Sequence, residues 1–114
     1  MEDVSRFFIK KTKAPFLRKE KIDITFLTPV SEREAIEVVK LIERNPVINE
    51  IDIVKSKCRI NDRASVHDLS RIGWRPDDGI EGFSKELDFP ELKLKAILGI
   101  SCNDKQILAT VYRT

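Results

Sequence analysis

A chain of 114 residues, 41% hydrophobic and 35% charged, is long enough for one hydrophobic core and too short for most multi-domain enzymes. That mixture is too apolar for a disordered tail and too ionic for a membrane protein: even the run Ala96 to Asn103, free of Asp, Glu, Lys and Arg, falls far short of the roughly 18 residues that span a bilayer. Its 21 basic and 19 acidic side chains nearly cancel to +2, so total charge singles out neither a nucleic acid nor a membrane as partner.

The first eight residues carry Glu2, Asp3 and Arg6 before three apolar positions, a composition unlike a secretory leader, and a cytoplasmic location is expected. Val4 to Lys11 reads as a weak strand, with residues 1–15 a basic arm or edge strand of one domain over 1–114. Ile22, Ile24 and Phe26 alternate with Asp23, Thr25 and Leu27, the period of a half-buried strand closed by Thr28-Pro29. Ser31 and Glu34 have the spacing of a capping box, and Ala35, Ile36, Val38, Val39, Leu41 and Ile42 form the apolar stripe of the helix that it opens. Asn45-Pro46 closes that helix, because proline disfavours the helical conformation for the residue before it.

Ile48 to Ile60 reads as a long strand whose apolar parity changes between Ile53 and Val54, which a bulge near Lys55-Ser56 would reconcile. Asp62 is placed to cap a short helix over Arg63 to Ile72, and Gly73 to end it in the left-handed conformation. Pro76-Asp77-Asp78-Gly79 is a turn, followed over Ile80 to Leu87 by one or two helical turns. Leu92 to Ser101 and Gln106 to Tyr112 form a C-terminal hairpin across Cys102 to Lys105, where Asn103 and Asp104 tolerate positive φ. The order β, β, α, β, α, with one more short helix, then β, β, fits an α+β fold: a mainly antiparallel sheet with two or three helices on one face.

Cys58 and Cys102 are expected as buried free thiols, small hydrophobes in separate strands; a disulfide would require those strands to be adjacent. His67 is the only histidine and no C-x-x-C occurs, so no metal site and no cofactor are expected.

Charge is informative by block. Residues 1–21 carry +4, 22–54 carry −4, 55–75 carry +4, 76–92 carry −5 and 93–114 carry +3. If 48–60 is a strand, Lys55, Lys57 and Arg59 share a face at intervals of about 6.7 Å, near the spacing of phosphates along a nucleic-acid strand. Arg63, Arg71 and Arg75 extend the basic block, Lys10, Lys11 and Lys13 could add an arm, and Trp74 could stack on a base. The plainer reading is a solvated face with a core tryptophan. On these residues the chain is a binding module rather than an enzyme, for nucleic acid through Lys55, Lys57, Arg59, Arg63, Arg71, Trp74 and Arg75. The alternative is a protein-interaction module, an adaptor, inhibitor or immunity-type protein, docking a basic partner on the acidic stretch Asp77 to Glu91. An exposed Trp74 in a basic surface favours the first, and a buried Trp74 beside an exposed apolar patch the second.

A small nuclease is a third reading. Arg63 and Arg71, at i−4 and i+4 from His67, could gather a phosphate beside it, although a surface histidine explains the same spacing. Pro76-Asp77 with Glu91-Leu92-Lys93 also matches the P-D…E-x-K pattern of restriction-type nucleases, where the two acids hold Mg²⁺. Asp68-Leu69-Ser70-Arg71-Ile72-Gly73-Trp74-Arg75-Pro76 resembles the helix-ending L-G-W-x-P phrase near the C-terminus of nucleotide-sugar epimerases. The resemblance covers nine residues and, without a G-x-G-x-x-G, implies that capping geometry and no catalytic role.

Overall fold

The computed structural model describes residues 6–11, 20–58 and 62–114. Strands β1 (Arg6–Lys11) and β2 (Glu20–Phe26) pair antiparallel, and helix α1 (Glu32–Arg44) follows. The capping box is formed: Ser31 Oγ accepts from the Glu34 N–H at 3.1 Å, and Glu34 Oε1 accepts from the Ser31 N–H at 3.0 Å. Ala35, Val38 and Ile42 enter the core, whereas Ile36, counted in the apolar stripe, stays exposed. The Ser31 N–H holds the Glu34 carboxyl below its ordinary value against the opposing effect of desolvation, and Arg113 at 3.5 Å adds to the lowering. A carboxylate with a depressed folded-state pKa stabilises fully above its unfolded-state pKa and loses that contribution as pH falls through the folded one. Glu34→Gln should therefore cost up to about 1 kcal/mol at neutral pH, with the gap to wild type closing in urea melts as the solution is acidified below the carboxylate range.

The segment read as a long strand is instead a second helix, α2 (Val47–Ser56). Val47, Ile48, Ile51 and Val54 are buried at steps of one, three and three, the spacing of one helical face, so the parity change marked a helix rather than a bulge. Asn45-Pro46 ends α1 and also starts α2: the Asn45 side-chain oxygen accepts from the Val47 N–H at 2.9 Å, and proline's fixed φ suits the position before a first helical turn. Asp62 caps α3 (Arg63–Ser70) as expected. At its end Gly73 takes φ +91°, its N–H donates to the Ser70 carbonyl, and the Trp74 N–H reaches back to the Leu69 carbonyl. This is a Schellman motif, with Leu69 and Trp74 packed in the core. The capping geometry of the epimerase-like phrase is thus present, but a strand follows it.

That strand, β3 (Arg75–Asp77), leads through a turn into β4 (Gly82–Phe89), where helical turns were expected. Gly82 is required at the start of β4, since a Cβ there would lie 1.9 Å from the Ile100 carbonyl oxygen. Phe83, Leu87 and Phe89 alternate inward with Ser84, Glu86 and Asp88 outward; Lys85 interrupts the apolar series and hides its period. A 3₁₀ turn (Pro90–Leu92) precedes β5 (Leu94–Ser101), which forms the expected hairpin with β6 (Ile107–Arg113). The turn places Lys105, not Asn103 or Asp104, at positive φ.

The sheet order is β1-β2-β6-β5-β4-β3, antiparallel except between β2 and β6. Register aligns rows across it: Ile22, Ile107, Ile100 and Phe83, then Ile24, Ala109, Leu98 and Lys85, then Phe26, Val111, Ala96 and Leu87. These rows form the face covered by the three helices, giving the expected α+β architecture. No helix among the described residues is long and apolar enough to cross a membrane.

Candidate functional site

Lys55 and Lys57 do not stand on a strand, as a comb with Arg59 requires. Lys55 lies in the last turn of α2, half-buried, with its carbonyl accepting from Lys105 Nζ at 3.2 Å. Lys57 caps that helix and its ammonium pairs with Asp68 of α3 at 3.2 Å. Arg59 and Lys13 lie outside the described residues, and of β1's Lys10 and Lys11 the backbone alone is described. Spacing along a strand therefore no longer supports a match to phosphates. What remains is a stripe along α3 and its C-cap: Arg63, His67 and Arg71, four residues apart and all exposed, rise about 6 Å per step. Arg75 opens β3 and is exposed too.

Trp74 is fully buried, so its ring cannot stack on a base. Its Nε1 donates to Glu50 Oε1 at 2.8 Å, and the same oxygen accepts from Lys85 Nζ at 2.9 Å. Lys85 also donates to the Ile72 carbonyl at 2.7 Å. These bonds explain how a lysine occupies a core-facing slot of β4: its stem packs beneath Gly73 while its charge is neutralised by Glu50 and satisfied by the open end of α3. The network joins α2, the α3 terminus and the sheet, and its members are committed to one another. Glu50 and Lys85 were not singled out from the sequence, although Lys85 in an otherwise alternating F-S-K-E-L-D-F was the visible irregularity.

The acidic block, by contrast, is largely exposed. Asp78 and Glu81 lie in the β3–β4 turn, Glu86 and Asp88 point outward from β4, and Glu91 sits on the 3₁₀ turn. Asp77, half-buried, is held by the Gly79 N–H. Glu81 accepts from Asn103, and Glu86 accepts from the Tyr112 hydroxyl at 3.3 Å and lies 3.7 Å from Lys95. Opposite Glu86 across the ladder is Ile97, one of the exposed large hydrophobics. Where β3 begins, a groove of about 480 Å³ opens along β4, lined by Gly73, Arg75, Ser84, Lys85, Glu86 and Ile97.

The nuclease pattern is not assembled. Asp77 pairs with Gly82 at one end of β4, while Glu91 and Lys93 lie beyond Phe89 at the other, about 23 Å away along an eight-residue strand. His67 stands on the exposed stripe of α3. The cysteines are not free thiols: Cys58 and Cys102 form a disulfide, with Cα atoms 5.1 Å apart. Helix α2 makes this possible, because it delivers Cys58 to the β5–β6 turn, a closeness that a strand over 48–60 did not suggest. No protein-family model matches the chain, and no curated protein or solved structure shows significant similarity to it.

Proposed function

We propose that the protein is a protein-interaction module, of adaptor, inhibitor or immunity type, which docks a basic partner on the acidic limb formed by β3, β4 and the 3₁₀ turn. The observation that carries this reading is the exposure of Asp78, Glu81, Glu86, Asp88 and Glu91 on one limb, with Ile97 exposed beside Glu86. Clustered charge of one sign steers an oppositely charged partner, and an apolar residue at its centre supplies area that desolvates well. The buried Trp74 agrees with this reading and removes the aromatic platform of the other. A nucleic-acid-binding role keeps one observation in its favour, the exposed Arg63 and Arg71 on one face of α3 with Arg75 nearby. The disulfide fits an oxidising compartment better than the cytoplasm, where thiols are kept reduced.

Two probes test the proposal side by side at about 50 mM salt: a fluorescent oligolysine and a single-stranded oligonucleotide of equal length. Wild type should bind the oligolysine, with affinity falling at least tenfold in a Glu81→Gln, Glu86→Gln, Asp88→Asn variant. Oligonucleotide binding that is lost in Arg63→Ala, Arg71→Ala, with no oligolysine binding, would reverse the assignment.

A further inference from the structure

We infer that the outer edge of β4 receives an extended segment of the partner as an added β-strand, one with lysine or arginine at alternate positions and apolar residues between them. This rests on the acidic limb being the docking surface, and adds how the partner is held. Strand β3 covers only Gly82 to Ser84, and no other strand among the described residues pairs with the outer side of β4 from Lys85 to Phe89. Proline identifies which backbone groups face outward. Pro76 has no N–H, so the Pro76–Phe83 pair cannot be a mutually bonded one; the bonded pairs are Arg75–Ser84 and Asp77–Gly82. Alternation then directs the N–H and C=O of Glu86 and Asp88 to the same outer edge, while Lys85, Leu87 and Phe89 direct theirs to β5.

An edge with no strand partner among the described residues is a template for strand addition. The side chains state what the added strand carries. Glu86 and Asp88 are exposed on the open face of the sheet, so residues opposite them gain most if basic. Leu87 and Phe89 line the other face at 5% exposure each, so residues beside them gain most if apolar.

The test uses blocked seven-residue peptides: one alternating lysine and valine, an isomer with the same residues in two blocks, and alternating peptides N-methylated on one edge or the other. In the free protein the Glu86 and Asp88 amides should exchange with solvent at least tenfold faster than those of Leu87 and Phe89. The alternating peptide should bind at least tenfold more tightly than its isomer and slow exchange at Glu86 and Asp88 by at least tenfold. N-methylation of one edge should abolish binding and of the other leave it intact. Equal binding of both isomers, weakened by Glu86→Lys, Asp88→Lys but without amide protection, would overturn strand addition while leaving the acidic docking surface standing. Binding indifferent to those substitutions would overturn both. Protection at Glu86 and Asp88 that rises with protein concentration without peptide would assign the edge to a second copy of the chain and overturn the proposal.

Discussion

Trp74→Ala is expected to lower the unfolding free energy by about 3 to 5 kcal/mol, measured by urea denaturation at neutral pH. The indole is the largest fully buried side chain, and it stands where three structural links meet. Its backbone N–H closes the Schellman motif on Leu69, its ring fills the core beside the α3 terminus, and its Nε1 shares Glu50 with Lys85. Truncation leaves a cavity and takes one donor from a carboxylate that is three-quarters buried. Trp74→Phe separates the two effects, because it keeps much of the apolar volume and removes the indole N–H. It should cost about 1 to 2 kcal/mol, with Lys85 still neutralising Glu50. A loss below about 1 kcal/mol for Trp74→Ala would place the ring outside the core and reopen its use as a stacking platform.

Opening the Cys58–Cys102 bridge should cost about 3 to 4 kcal/mol, read as the difference between urea melts of wild type and a Cys58→Ser, Cys102→Ser variant. The two cysteines are 44 positions apart, and cross-links that close long loops remove the most conformational freedom from the unfolded chain. In the folded state the bridge fastens the end of α2 to the β5–β6 turn, where Lys105 also bonds the Lys55 carbonyl. If that fastening mattered mainly for the folded structure, exchange of the α2 amides would rise with little change in the global melt. A difference below about 1 kcal/mol with α2 amide exchange unchanged would show that the bridge adds little to what the buried Val47, Ile48, Ile51 and Val54 already hold.

Sequence and structure part where a local pattern has two solutions. Val47 to Ser56 is rich in β-branched residues, which favour strands, yet its apolar positions recur at helical steps. Burial decided between them, since a helix places Val47, Ile48, Ile51 and Val54 together on the sheet. Lys85 concealed β4 because a charge at an inward position breaks the alternation by which a strand is recognised. Its partners, Glu50, 35 residues earlier, and the Ile72 carbonyl, were not visible from the segment itself. The comb of Lys55, Lys57 and Arg59 needs a strand, and Lys55 and Lys57 stand instead at the end of a helix.

What the sequence determined by itself was each feature whose energy is settled within a few residues. The Ser31–Glu34 capping box, the stop at Asn45-Pro46, the Asp62 cap, the left-handed Gly73, the Ile22-Ile24-Phe26 face and the C-terminal hairpin all follow from short-range sterics and hydrogen bonding. Tertiary structure alone decided the parallel union of β2 with β6, the meeting of Cys58 with Cys102, the pairing of a half-buried lysine with Glu50, and the stretch of the β4 edge that β3 leaves uncovered. Each of these depends on groups distant in the chain, and the free energy that selects them arises only when the sheet and helices exclude water together.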